Sequence, residues 1–257
     1  MIYTKKQVDL YLKKIDYKDD IKIDSKTLDK LQIAHLTHIP YENLDVLNKK
    51  PLSLEADDLF NKIVLNQRGG YCFELNWLYS NLLKSLGFKV TNLAGRFIYA
   101  DGITRMRLHR ILKIEIDDKS YIADVGILSE LPRKSLELEV GKVQTDGKCD
   151  YKFELDKNNE YILCQKKPNK DWKKIYSFSL EPQLDKDYVL PCFYCETHKN
   201  SPFVNSMKVA VYTEDEHIRL FDGELIFYKD GEARKIEKVS EYEIDRVLKK
   251  YFGIVLK

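Results

Sequence analysis

Three side chains in this 257-residue sequence have types and spacing that can do covalent chemistry: Cys72, His109 and Asp124. Cys72 stands in Arg68-Gly69-Gly70-Tyr71-Cys72-Phe73-Glu74. Two adjacent glycines cost backbone entropy and pack nothing, which makes sense at a tight turn or a close approach to a ligand; here they are expected to leave room beside the sulfur. The turn delivers the cysteine into what reads as the first turn of a helix. N–H groups at a helix start carry partial positive charge and favour a thiolate, so a lowered Cys72 pKa is expected. With an imidazole beside it and a carboxylate orienting that ring, such a cysteine can move an acyl group through a thioester.

The elements that must position these groups follow from the hydrophobic pattern. Leu75, Leu78, Tyr79, Leu82, Leu83 and Leu86 recur at helical spacing until Gly87, which places Cys72 on a buried, rigid helix. Upstream, Val8 to Ile15 predicts one amphipathic helix and Ser25 to about His38 a second, capped by Ser25 and stopped by Pro40. In Tyr41-Glu42-Asn43-Leu44 a carboxylate lies between large apolar residues and needs a partner, for which Arg68 is the candidate.

From Phe88 the pattern changes to strands, at Val90 to Tyr99, Leu108 to Ile116 and Tyr121 to Val125, with turns at Asp101-Gly102 and Asp117-Asp118. If Asp117-Asp118 is a two-residue turn, Gly126 opposes His109, and Asp124 becomes a diagonal neighbour on the same face, roughly 7 to 8 Å away. A turn one residue later breaks that geometry. Further on, strands are expected at Tyr151 to Leu155, at Tyr161 to Cys164 and within 207–228, with a turn at Asp222-Gly223. A final helix capped by Ser240 is expected to run to about Phe252.

Composition narrows the functions. An apolar content of 44%, with 12% aromatic residues, can fill a sizeable core. The net charge is +2 with 43 basic and 41 acidic residues interspersed, which gives no electrostatic footprint for nucleic acid or an anionic membrane. No stretch approaches the roughly 18 apolar residues of a membrane span, and the first residues lack an apolar signal region, so a soluble cytoplasmic protein is expected. Five cysteines at irregular spacing fit reduced thiols. Cys192 and Cys195 form a CxxC without a second pair, and His35 with His38 lacks a third ligand, so no metal site is predicted.

The order Cys, His, Asp is shared by cysteine proteases, transglutaminase-like enzymes and acyltransferases. Six segments narrow it: Ile39-Pro40-Tyr41-Glu42-Asn43-Leu44, the block from Arg68 to Glu74, Leu93-Ala94-Gly95-Arg96-Phe97, His109 with its apolar strand, Asp124-Val125-Gly126, and Ser201-Pro202-Phe203. In these the chain resembles the arylamine N-acetyltransferase family. The resemblance implies an α+β fold around a papain-like Cys-His-Asp core: an N-terminal helical bundle over 1–87, a central β-barrel over 88–195 and a C-terminal α/β lid over 196–257. It also implies acetyl-CoA as donor, an aromatic amine or hydrazine as acceptor, and ping-pong transfer without a metal.

By position, Cys72 is then the acetylated nucleophile, His109 the base and acid, and Asp124 the group that fixes the imidazole tautomer. Glu42 and Arg68 support the site, and Gly126, Ser201 and Phe203 lie near coenzyme or acceptor. The chain departs from the family's usual Asp-Val-Gly-Phe-Gly, reading Asp124-Val125-Gly126-Ile127-Leu128, which exchanges an aromatic ring and a glycine at the far wall. Two other readings use the same residues: a related amide synthase or thiol hydrolase, and a non-catalytic binding module that keeps the fold.

Overall fold

The computed structural model describes residues 2–101, 103–126, 128, 132–229 and 232–256. Helix α1 (Lys5–Lys14) begins at Thr4, whose hydroxyl accepts the Gln7 N–H in a capping box. Helix α2 (Ser25–His38) is capped by Asp24 rather than Ser25, because the Asp24 carboxylate accepts the Thr27 N–H at 2.7 Å. Short helices α3 (Leu44–Leu47) and α4 (Ala56–Phe60), the second continuing into a π-helical turn at Asn61–Leu65, lead to α5 (Cys72–Ser85). Every residue of α5 from Cys72 to Leu83 is buried, so it is the central helix of the bundle. Gly87, at φ +97°, then turns the chain into the sheet.

Strand β1 (Tyr41–Glu42) precedes α3, and eight strands follow α5: β2 (Lys89–Phe97), β3 (His109–Ile116), β4 (Lys119–Ala123), β5 (Leu136–Glu137), β6 (Gln144–Thr145), β7 (Asp150–Leu155), β8 (Tyr161–Lys166) and β9 (Lys173–Phe178). These eight form an antiparallel sheet in the order β5-β4-β3-β2-β9-β8-β7-β6 that curls into a nearly closed barrel. Its two edges meet through one side chain: Gln144 accepts the Glu137 N–H and donates to the Glu137 carbonyl, both at 2.8 Å.

Helix α6 (Val189–Thr197) joins the barrel to strands β10 (Lys208–Tyr212), β11 (Glu216–Phe221), β12 (Glu224–Lys229) and β13 (Glu232–Lys238). With β1 they make a second antiparallel sheet, β1-β10-β11-β12-β13, with Tyr41 opposite Ala210 and Glu42 opposite Val209. Helix α7 (Ile244–Phe252) packs Val247, Leu248 and Phe252 into the core of this sheet and ends at Gly253. Ser240 caps the 3-10 turn Glu241–Glu243 that feeds α7 rather than α7 itself. Among the described residues no helix is long and apolar enough to cross a membrane. Gly102, of the turn expected after β2, and Ile127 lie outside the described residues.

Candidate active site

Cys72 is the first residue of α5, as its glycine turn predicts. The glycines themselves do other work than the sequence reading gave them. A side-chain carbon on Gly69 would lie 2.1 Å from the Pro40 carbonyl oxygen, and one on Gly70 2.9 Å from Glu74, so the turn is pressed against the bundle rather than opened toward a ligand. The thiol is buried and donates to the Leu108 carbonyl at 3.6 Å, one residue before His109.

The turn after β3 has two residues: Ile116 pairs with Lys119 and Leu112 with Ala123, the register that aligns His109 and Asp124. Beyond the last pair His109 Nε2 donates to Asp124 Oδ2 at 2.6 Å. That bond fixes the tautomer, leaving Nδ1 unprotonated in the neutral ring; this nitrogen is buried and has no partner among the described residues. The imidazole is wedged between aromatic rings, 4.9 Å from Phe97 and 5.5 Å from Tyr176 between centroids.

The expected lowering of the Cys72 pKa is not found. Burial pushes the thiol well above its ordinary value, reinforced by Cys195 and Asp124, while N–H groups of Arg110 and Phe73 directed at the sulfur oppose this without reversing it. Desolvation of a thiolate at a site 2% exposed outweighs the partial charge of a helix start. A thiolate therefore needs a cation formed beside it.

Several neighbours shape the site, and of these the sequence reading singled out Gly126 but not Asn76, Arg110 or Tyr176. Asn76, one turn along α5 from Cys72, donates through Nδ2 to Asp124 Oδ1 at 2.8 Å and to the Arg110 carbonyl at 2.6 Å, and accepts the Val125 N–H at 3.0 Å. Gly126 packs so closely that a side-chain carbon there would lie 2.7 Å from Cys72 Cα and 2.6 Å from Asn76 Nδ2. Arg110 is buried between the rings of Trp77, at 4.0 Å, and Tyr188, at 4.3 Å, and burial pushes its guanidinium down to about 10. Tyr176 comes from β9, where Ile175, Tyr176 and Phe178 give a short run of strand formers.

Arg68 meets Glu42 as expected, with Nη2 at 2.8 Å and Nε at 3.0 Å from Oε1. The pair belongs to a larger ionic cluster: Arg68 also reaches Asp45 at 2.9 Å, and Lys62 bridges Asp45 at 2.8 Å and Glu74 at 2.7 Å. Burial opposes the charge on Lys62, but Glu74, Glu42 and Asp45 outweigh it and hold the ammonium above its ordinary range. Glu74 in turn accepts the Tyr71 N–H, so the cluster grips the start of α5.

A cavity of about 710 Å³ opens onto Cys72, lined also by Gly126, Leu128, Phe203, Tyr41 and Tyr194. Arg105, Lys173 and Lys208 line it as well, and among the described residues no carboxylate does. Gly126 and Phe203 thus share the cavity with Cys72, whereas Ser201 stands behind it, donating to the Cys195 carbonyl at 2.6 Å and accepting the Phe203 N–H at 3.2 Å. The other cysteine and histidine pairs have separate uses. Cys192 donates to Glu196 at 3.0 Å and lies 2.8 Å from the Tyr71 hydroxyl; the His35 ring bonds the Tyr11 hydroxyl at 2.8 Å, while His38 is exposed.

Against known proteins, the profile of a family described as N-acetyltransferase matches residues 24–257. The arylamine N-acetyltransferase of Mycolicibacterium smegmatis is 31% identical over 252 residues, covering 96% of this chain and 91% of its own. The solved arylamine N-acetyltransferase of Salmonella typhimurium superposes with a TM-score of 0.93 at 27% identity, covering 98% of this chain and 92% of its own. That of Mycobacterium marinum, solved in complex with CoA, superposes with a TM-score of 0.89 at 28% identity over 96% of this chain and 92% of its own.

Proposed function

The chain belongs to the arylamine N-acetyltransferase family and is an acetyltransferase, and from that premise we propose that it carries acetyl from acetyl-CoA to an aromatic amine or hydrazine through an acetyl-Cys72 thioester. The observation that carries this reading is the His109 ring, bound through Nε2 to Asp124, with a buried Nδ1 that has no partner among the described residues, directly after Leu108, whose carbonyl accepts the Cys72 thiol on the wall of a 710 Å³ cavity. His109 takes the Cys72 proton, and the resulting imidazolium offsets the desolvation that otherwise holds the thiol protonated. The thiolate attacks the acetyl carbonyl. As that centre collapses, the C–S bond to coenzyme breaks and the imidazolium returns its proton to the departing sulfur, leaving acetyl-Cys72 and a neutral His109. The acceptor nitrogen then attacks the new thioester, His109 takes the amine proton, and Cys72 leaves and is reprotonated.

In this reading Asp124 holds the imidazole tautomer, as in a papain-like triad, and Glu42 with Arg68 braces the helix start. Residues 1–87 form the bundle that carries the nucleophile, 88–195 the barrel that carries His109 and Asp124, and 196–257 the lid, with Phe203 and Gly126 against coenzyme and acceptor. Arg105, Lys173 and Lys208 suit the phosphates of a coenzyme, and the unpaired cysteines fit a cytoplasmic setting. The test is intact mass spectrometry after mixing the protein with acetyl-CoA and no amine. A species one acetyl heavier is expected, mapped to Cys72, absent in Cys72→Ala and discharged by an arylamine. An unmodified Cys72 under those conditions overturns the proposal.

A further inference from the structure

Asp124 is held from two sides, and the holds differ in kind. Its Oδ2 faces His109; its Oδ1 accepts the Asn76 amide at 2.8 Å and the Gly126 N–H at 2.9 Å. The Asn76 amide is fully buried, and its second donor and its carbonyl oxygen are used by the Arg110 carbonyl and the Val125 N–H. One side chain on α5 therefore bonds both chains of the barrel wall, the one after His109 and the one after Asp124. It is also the residue one helical turn beyond Cys72, so the same helix carries the nucleophile and the clamp on its partners.

We propose that Asn76 is a positioning residue of the triad: its carboxamide reserves Asp124 Oδ2 for His109 and so sets how much Cys72 thiolate the site holds. The inference rests on the acyl-transfer reading of Cys72, His109 and Asp124. The physical reason is the low local dielectric: a buried carboxylate with three donors keeps its charge aimed along one direction, and the imidazolium beside it is stabilised accordingly. Without the amide, Oδ1 keeps one donor and the carboxylate is free to rotate, while the Arg110 carbonyl and Val125 N–H lose their partner. The titratable or charged groups around Asp124 are His109 from β3, Cys72 from α5 and the Tyr176 phenol from β9, while the Arg110 guanidinium, between Trp77 and Tyr188, acts on Cys72.

The test measures Cys72 alkylation by iodoacetamide across pH 5 to 9, which needs no acyl donor, beside steady-state kinetics. Asn76→Ala is expected to slow alkylation at neutral pH and to lower kcat by about 10- to 100-fold, as for loss of a hydrogen bond to a charged group, with little change in KM for acetyl-CoA. Leu83→Ala, a cavity two to three turns further along α5, is the control for destabilisation alone and keeps the wild-type alkylation profile. Asn76→Asp retains an acceptor for the Val125 N–H and so serves if the alanine variant does not fold. Two carboxylates at that spacing share a proton, so Asp124 Oδ1 stays bonded only below the pH at which that proton is lost, and the variant's alkylation profile departs from the wild type's above that pH. Wild-type rates and pH profiles in whichever variant folds, or an equal loss in Leu83→Ala, overturn the role of Asn76. Failure of wild-type protein to form an acetyl adduct overturns instead the reading on which it rests.

Discussion

At the residue scale the site is built by close approach. Gly126 touches the backbone of Cys72, and any side-chain carbon there meets Cys72 Cα at 2.7 Å and Asn76 Nδ2 at 2.6 Å. Neither neighbour has room to yield, since both lie on the buried face of α5. Gly126→Ala is therefore expected to keep the fold and lower kcat/KM by about 100-fold, the scale of an ångström's misplacement of reacting groups. Circular dichroism and steady-state assays check it; a wild-type rate refutes the contact argument. The helix start at Cys72 was legible from the double glycine before it, and the approach of His109 to Asp124 from the two-residue turn that sets the strand register. Asn76 was not, because a polar residue inside an apolar helix announces burial but not its partners. The Cys72 pKa was misread for the opposite reason. A helix start is visible in sequence, whereas the depth at which it is buried is a property of everything packed over it.

At the element scale the start of α5 is fixed by charge. Glu42 is fully buried and bonded to Arg68 and to the Leu44 N–H at 2.7 Å, so Glu42→Ala leaves the half-buried guanidinium to Asp45 alone and the Leu44 amide without its acceptor. The expected loss is about 1 to 3 kcal/mol of stability, read from urea unfolding, with kcat of the remaining folded protein within a few-fold of wild type. A variant of unchanged stability and abolished turnover contradicts that assignment. Helix ends and hairpin turns were read from capping and turn chemistry to within a residue or two, as with α5 and the Asp222-Gly223 turn. The ionic cluster was half legible: Arg68 and Glu42 were matched, but Lys62, which bridges Asp45 and Glu74, sits on a π-helical turn at Asn61–Leu65, and nothing in that pentapeptide declares an altered helical pitch.

At the scale of the molecule, pH acts through groups buried neutral. His35 lies within the bundle, and burial holds its imidazole at about 3 against an ordinary 6.5. The folded ring stays neutral where the unfolded one takes a proton, so its contribution is complete above about pH 6.5 and is lost as pH falls toward 3, by about 1.4 kcal/mol per unit. Urea midpoints between pH 7 and 5 are expected to fall in the wild type and to fall less in His35→Gln; equal slopes refute the assignment. The order of the barrel strands was beyond the sequence, since β2 pairs with β9 across more than seventy intervening residues that carry no mark of the partner. The barrel's seam has a consequence for life at high concentration. Gln144 occupies both the donor and the acceptor of Glu137, so the short β5 offers little ladder to a passing strand, and on the other sheet β13 carries Glu232, Arg234, Lys235, Glu237 and Lys238 along its outer edge. One edge is plugged by an amide and the other is guarded by charge, which protects a chain with two sheets from templating its own aggregation.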